Sequence, residues 1–502
     1  MVGWRGSQIL VVSVGLLLGL GLLRGIGGSL GPGLGIAVVG LAVVLVAWPI
    51  AGRTVEEWTP VVLSYALETL LSGSPGRRQR VDPRELVSAN ALGSDRLGLA
   101  LSRQGGSFRH LAASRLSRAR PAGRSPSGEG APRAPRLMRA FSLETIALPQ
   151  SQPFGAIRDR RTGNWTVVLA VEGSGGALAG TDELDRGVAA WSAVLAALSR
   201  ELAGISHLQW VLQSFPDEGR SRRAYFEQFR GPGGPACEAY REVLAATERA
   251  CLRHELLVAL SVPGRRGATV SRDGVPPRGL VAGAVSLERL LVHAGFEVRG
   301  VLSPAALAAA IASPVHSVAE HATARGHRGA VAWPWPVAVA EHWSYLVVDG
   351  TFQAGFWVVE WPRNPVEGGF LFPLLLESTV RRRIGLVLEP VAPLRAVRRV
   401  EHDRTSQAAD AELRHRHGFA QSERLRAQQE AVIRREGELA AGHGAYRFTG
   451  LVSVVEDTRE ELEIACTKIE QAAALSMLEI RRLYGAQAAT YLALLPLGRG
   501  LL

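Results

Sequence analysis

The run EGSGG at 172–176 follows a predicted strand and precedes a predicted helix, a placement in which backbone N–H groups can cradle a phosphate. It lacks the GxGxxG spacing, and a Walker loop also needs a lysine directly behind its glycines. Lys468 is the only lysine among 57 basic residues, and it lies in Ala-Cys-Thr-Lys-Ile-Glu with no glycine near it. A simple turn is therefore expected at 172–176, and a standard P-loop ATPase is excluded. His316, Glu320, His321 and His327 cluster in sequence, but they form no HExxH set. His415 and His417 sit two apart in a helical pattern, so they point to different faces. Glu341 and His342 could in principle make an acid–base pair. Adjacent residues rarely face each other, however, and the Trp-Pro-Trp-Pro run at 333–336 reads as a rigid packing corner. Cys237, Cys251 and Cys466 are odd in number, far apart and without a CxxC, so neither a disulfide framework nor a cysteine zinc site is expected. There is no GxSxG. The expectation is a chain that is not an enzyme, with no catalytic residues, no cofactor and no metal.

Composition allows a folded body. Hydrophobic residues make up 47% of 502, enough for a packed core, and the length allows two or three domains. The net charge of +11 is carried almost wholly by arginine. With abundant Ala, Gly, Leu and Val, that is the coding bias of a GC-rich genome rather than a functional signal.

Two uncharged apolar stretches, 7–23 and 34–50, flank a Gly/Pro-rich turn. With flanking small residues each approaches the roughly 20 residues that cross a bilayer. A transmembrane helical hairpin is therefore expected over 1–51. Gly15 with Gly19, and Gly31 with Gly35, would be its packing positions, since small residues four apart let helices approach closely in lipid. Trp4 and Trp48 would anchor one interface, and Arg24 would snorkel at the other. A cleaved signal peptide fails on length and on the second apolar block. Arg5 before the first stretch and Arg53, Arg77, Arg78 and Arg80 after the second place both ends in the cytoplasm, on the inner side of the cell membrane.

A juxtamembrane helix is expected over 52–76, with Thr54 and Glu57 at capping-box spacing and an apolar stripe of Trp58, Val61, Val62 and Tyr65. Residues 77–150 read as an Arg/Pro/Gly/Ser-rich connector, with 14 arginines against four acids in 77–139. Such a segment suits lipid headgroups or nucleic acid electrostatically, though it lacks aromatics for base stacking. The rest reads as an α+β soluble body of two or three units: 151–275, 276–395 and a terminal strand–helix–strand over 446–502, with a charged helical segment at 396–445. The apolar run 489–495 is expected as a strand, and the order in 446–495 echoes that in 164–215 as a degenerate repeat.

Several long phrases together resemble a family. They are GRTVEEWTPV (52–61), GNWTVVLAVEGSG (163–175), GVAAWSAVLAALSRE (187–201), ISHLQWVLQSFPD (205–217), RHELLVALSV (253–262), GVLSPAALAAAI (300–311), AWPWPVAVAEHWSYLVVDG (332–350), FWVVEWPR (356–363), YRFTGLVSVV (446–455) and EIRRLYGAQAATYLALLPLGRGL (479–501). The chain resembles the actinobacterial integral-membrane family associated with type IV secretion and conjugation. In that family a small two-helix VirB-type membrane subunit is joined to the N-terminal, non-ATPase part of a VirB-type ATPase. The likeness spans almost the whole chain, and 77–139 and 221–236 depart from it. The resemblance implies a non-catalytic inner-membrane component of a conjugative transfer-like apparatus that docks a separate motor ATPase. It also implies other membrane subunits as partners, beside the anionic lipid headgroups, with a second copy of the chain left open. The alternative is a membrane-tethered nucleic-acid-binding protein contacting transferred DNA. The family has no accepted catalytic residues to carry over.

Overall fold

The computed structural model describes residues 134–148, 152–172, 179–201, 204–216, 225–228, 234–248, 252–264, 276–312, 334–362, 365–416 and 423–500, the strand 120–124, and positions 16, 17, 20, 35, 36, 38 and 62. The chain divides into two compact units, 1–93 with 484–486, and 94–483 with 487–502. In the first, the described residues before 63 are helical.

The second unit is built on one 13-stranded sheet, counted among the described residues, in which every pairing is antiparallel. In chain order its strands are β1 (Arg120–Arg124), β2 (Phe141–Ala147), β3 (Phe154–Asp159), β4 (Trp165–Glu172), β5 (His207–Pro216), β6 (Leu252–Val262) and β7 (Glu297–Val301). There follow β8 (Val339–Glu341), β9 (Leu346–Val348), β10 (Thr351–Glu360), β11 (Arg382–Pro390), β12 (Tyr446–Glu456) and β13 (Glu479–Arg482). The spatial order is β1-β2-β3-β4-β6-β5-β11-β12-β10-β9-β8, with β7 on β4 and β13 on β10.

The helices are α1 (Thr181–Glu201), α2 (Pro235–Glu248), α3 (Arg278–His293), α4 (Pro304–Ala312), α5 (Phe372–Leu375), α6 (Pro393–Arg416), α7 (Glu423–Ala440), α8 (Arg459–Leu475) and α9 (Gln487–Leu494). One core joins Val194 and Leu198 of α1 and Leu280, Leu287 and Leu291 of α3 to Val167, Leu169, Val258 and Leu260 of the sheet. The same sheet face continues under α8, where Leu462, Ile469 and Ala473 meet Phe356, Val452 and Val454. On the opposite face Leu307 and Ile311 of α4 share a core with Tyr491 and Leu492 of α9. Helices on both faces explain why β4 reads WTVVLAVE, an apolar run without alternation, and is buried on both sides. Each fully buried Leu there contributes about 1.5–3 kcal/mol.

The two halves of this sheet repeat one another about the β5–β11 pair. In the first half β4 is flanked by β6 on one side and by β3 and β7 end to end on the other. In the second, β10 is flanked by β12 on one side and by β9 and β13 on the other. α3 connects β6 to β7 as α8 connects β12 to β13, and α4 and α9 follow on the opposite face. The inward positions correspond: Leu280 with Leu462, Ala284 with Cys466, Leu287 with Ile469, and Leu291 with Ala473. The strands that follow begin Glu-Val-Arg and Glu-Ile-Arg. The Leu302 amide donates to Val168 O and the Leu483 amide to Gly355 O, both at 2.9 Å.

Several expectations need correction. The fold class does not hold as an α+β body of two or three units behind a transmembrane hairpin. Strands from 151–275, 276–395 and 446–502 enter one continuous sheet, because β11 hydrogen-bonds β5 on one edge and β12 on the other. Among the described residues no helix is long and apolar enough to cross a membrane. Most of 1–51 lies outside the described residues. The segment expected as a strand at 489–495 is α9, which lays Tyr491, Leu492 and Leu494 on the sheet. The repeat is real but differently framed: β12–α8–β13–α9 repeats β6–α3–β7–α4, not β4–α1–β5.

Candidate functional site: a charged helical arm and its anchor

β11 and β12 are neighbours whose ends already meet, since Pro390 pairs with Tyr446 and the Val391 amide donates to Ala445 O at 2.8 Å. A tight turn would close this hairpin. The chain instead inserts α6 and α7, which pack against each other. Ala396 and Val400 of α6 and Val432 of α7 are buried, at the four-residue spacing of a helix seam. Arg404 Nη1 lies 2.9 and 3.1 Å from the two Glu436 carboxylate oxygens and links the helices further out. Beyond the seam the arm is exposed, with Arg395, Arg398, Arg399 and His402 on α6 and Arg434 and Arg435 on α7. Leu394 and Ile433 are 75% and 64% exposed. α7 ends where Gly442 takes φ +87, letting its amide reach Leu439 O and the His443 amide reach Glu438 O, both at 3.0 Å.

The base of the arm is tied down. Tyr446 Oη donates to Leu195 O of α1 at 2.6 Å, and burial pushes its phenol up to about 12. Glu389 at the end of β11 accepts Arg447 at 2.9 Å and stands 3.5 Å from His207. Burial holds His207 below its ordinary value despite that carboxylate.

At its other end β11 opens on Arg382 and Arg383, directly preceded by Arg381, and the three arginines have three tasks. Arg381 pairs with Asp457 and Glu456 at 3.0 and 3.1 Å; burial alone would lower its pKa, but the two carboxylates raise it. Arg382 is fully buried and donates to the carbonyls of Leu375, Glu377 and Val380, fixing the segment behind α5. Burial lowers its guanidinium to about 10. Arg383 points to the opposite face, donates to Gln213 Oε1 at 3.3 Å and is likewise lowered by burial to about 10. Beside Arg382 in the same cross-strand row stand Ser214 and His254, whose Oγ and Nδ1 are 2.9 Å apart. Desolvation and then the Arg382 charge push His254 below its usual value. Ser214 is fully buried while His254 is exposed, so the contact ties the interior of the sheet to a surface side chain.

The sequence candidates fall as follows. Gly15, Gly19, Gly31, Trp58, Val61 and Tyr65 lie outside the described residues; Gly35 is helical and buried, and Val62 is helical and exposed. Glu172 ends β4 and pairs with Arg299, while 173–178 lie outside the described residues. So do His316, Glu320, His321, His327, His417 and Cys251, and His415 belongs to α6. Glu341 Oε1 accepts the Ala488 amide at 2.9 Å, at the start of α9, while the His342 ring stacks on Tyr345 with centroids 4.4 Å apart. Trp335 is buried against Phe141. Lys468 donates to Thr379 Oγ1 at 3.0 Å. Among the described residues no three His, Cys, Asp or Glu side chains stand together to hold a metal. Burial pushes the Cys466 thiol up to about 12, which makes it unreactive.

Sequence reasoning missed the arginine strand, since three successive charges read as a solvated run. It also missed Gln209, whose Nε2 donates to Ala493 O and Leu495 O at 2.7 and 3.0 Å and whose Oε1 accepts the Gly498 amide at 2.9 Å. No local pattern marks a contact between residues so distant in sequence. No protein-family model matches the chain, and no curated protein matches it.

Proposed function

We propose that the chain is a non-catalytic inner-membrane component of a type IV secretion or conjugative transfer-like apparatus, and that it docks a separate motor ATPase. The observation that carries this reading is the arm. Two antiparallel strands whose ends are already hydrogen-bonded need only a short turn to join them. Here α6 and α7 span 393–440 between two strand ends that are already hydrogen-bonded. Among the described residues of the arm the buried side chains are Ala396, Val400 and Val432, so its exposed charged surface is available to a partner. The sequence phrases quoted above point to the same apparatus. The uncharged, apolar composition of 7–23 and 34–50 supports a membrane location, with the body on the cytoplasmic side.

The test is purification of the full chain from native membranes in mild detergent, followed by identification of what stays bound. A motor ATPase in near-stoichiometric amount supports the reading, and repeated recovery without one overturns it.

A second reading is that the chain contacts the transferred DNA from the membrane. Arg395, Arg398 and Arg399 on successive turns of the arm, together with the net charge of +11, favour it. Removal of 77–119 and charge reversal of those three arginines separate the readings. Loss of salt-sensitive DNA binding with the motor retained supports DNA contact; loss of the motor alone supports docking.

A further inference from the structure

The hairpin that carries the arm has a counterpart in the first half of the sheet. β5 and β6 are neighbours whose ends also meet, since Pro216 pairs with Leu252. There too the chain does not turn directly. It inserts 217–251, which include α2 and a short stretch packed on it, with the Phe226 and Tyr240 rings 5.5 Å apart and Arg241 over Phe226. The antiparallel register of β5 on β11 sets the two insertions at opposite ends of the sheet. Leu208 pairs with Leu388 at the arm's end, and Ser214 with Arg382 at the other. The 10 residues of β5, at about 3.3 Å each, put about 30 Å between the two exits.

The two insertions carry complementary surfaces. Among its described side chains α2 buries only Leu244. Ala236, Tyr240 and Val243 fall on one side of it, at helical positions i, i+4 and i+7, and all are exposed, Tyr240 at 52% and Val243 at 56%. Glu238 and Glu242 are exposed beside that strip. At the base of the arm Leu394 and Val397 are 75% and 44% exposed, and Arg395, Arg398 and Arg399 are exposed around them. An apolar strip bordered by carboxylates thus meets its match in an apolar pair bordered by guanidiniums. We propose that α2 of one copy of the chain docks on the base of the arm of a second copy, head to tail. Because the two insertions leave one sheet at opposite ends, a chain does not close on itself, and each docked copy presents the same two surfaces onward. The contact takes 394–399 and leaves the outer arm for a motor, so it stands whether or not the apparatus reading does.

The experiment uses the full chain, purified in mild detergent, with the photo-reactive p-benzoylphenylalanine in place of Tyr240. On irradiation, adducts with the mass of two chains and more are expected, and mass spectrometry should map the link to 394–399 of a second copy. Arg398→Glu together with Arg399→Glu should lower the adduct yield by about tenfold or more, because like charges then face each other across the contact. Adding Glu238→Arg and Glu242→Arg to the same chain should restore it. All four positions are exposed, so urea unfolding of these variants should stay close to the parent. Absence of any adduct above the mass of one chain overturns the proposal, as would follow if nucleic acid or another protein alone occupied the base of the arm. A link from α2 to α2, the mark of a two-fold pair, overturns it as well. So does a yield that the first reversal leaves unchanged or that the second does not rescue.

Discussion

Gly295 and Met477 occupy the same backbone conformation at the same corner of the two half-sheets. The Gly295 and Phe296 amides bond back to Val292 O and Leu291 O, as the Met477 and Leu478 amides do to Ala474 O and Ala473 O. Only one of the two is the residue that this conformation favours. Met477→Gly should stabilise the chain by about 1 kcal/mol, because an L-residue in the left-handed region costs about 1–2 kcal/mol and glycine does not. Gly295→Met should cost a similar amount. Urea midpoints at constant slope measure both, and a destabilised Met477→Gly would contradict the assignment of strain there.

Arg382 and Arg404 differ in what they hold. Arg382→Met removes a buried donor from three carbonyls and should cost about 3 kcal/mol. Arg404→Ala removes a solvent-exposed pair and should cost less than about 1 kcal/mol. Equal losses in chemical denaturation would mean that the burial of Arg382 has been misjudged.

Gln209 fastens the chain end to the middle of the sheet. Gln209→Leu leaves two carbonyls and one amide without their partner, and should cost about 3 kcal/mol. The loss should appear first as faster hydrogen exchange at 487–498 while strands β4 and β6 stay protected. Uniform loss of protection would instead make the end of the chain part of one cooperative unit.

His254 makes stability depend on pH. Its folded pKa lies below the ordinary 6.5, so the unfolded chain binds its proton more readily. The His254 contribution is constant above pH 6.5. It then declines as pH falls from 6.5 towards the depressed folded value. His254→Gln should therefore shrink the stability difference between pH 7.5 and pH 5.5. The parent and variant showing the same difference would exclude His254 as the source.

Much of the sheet could be read along the chain, because β4, β5, β6 and β12 are apolar runs bounded by turns. The arm was readable too, since Ala396, Val400 and Val432 fall on a helical period within a charged stretch. α9 was not, because AATYLALL satisfies the pattern of a buried strand and of a buried helix equally well. Arg382 and Arg383 could not be read as buried, since their burial follows from β11 joining the two halves, a fact of topology rather than of composition.

The arm can be tested by removing it. Val391 and Ala445 are hydrogen-bonded across the β11–β12 pair, so replacing 393–443 with a short Asn-Gly turn should leave the sheet intact. The parent and arm-deleted chains, each matched for fold by urea unfolding, would be isolated from native membranes and the bound motor ATPase quantified. Near-stoichiometric ATPase on the parent and at least a tenfold loss on the deletion is the expected result. ATPase retained in full on a folded, armless chain would contradict docking through the arm.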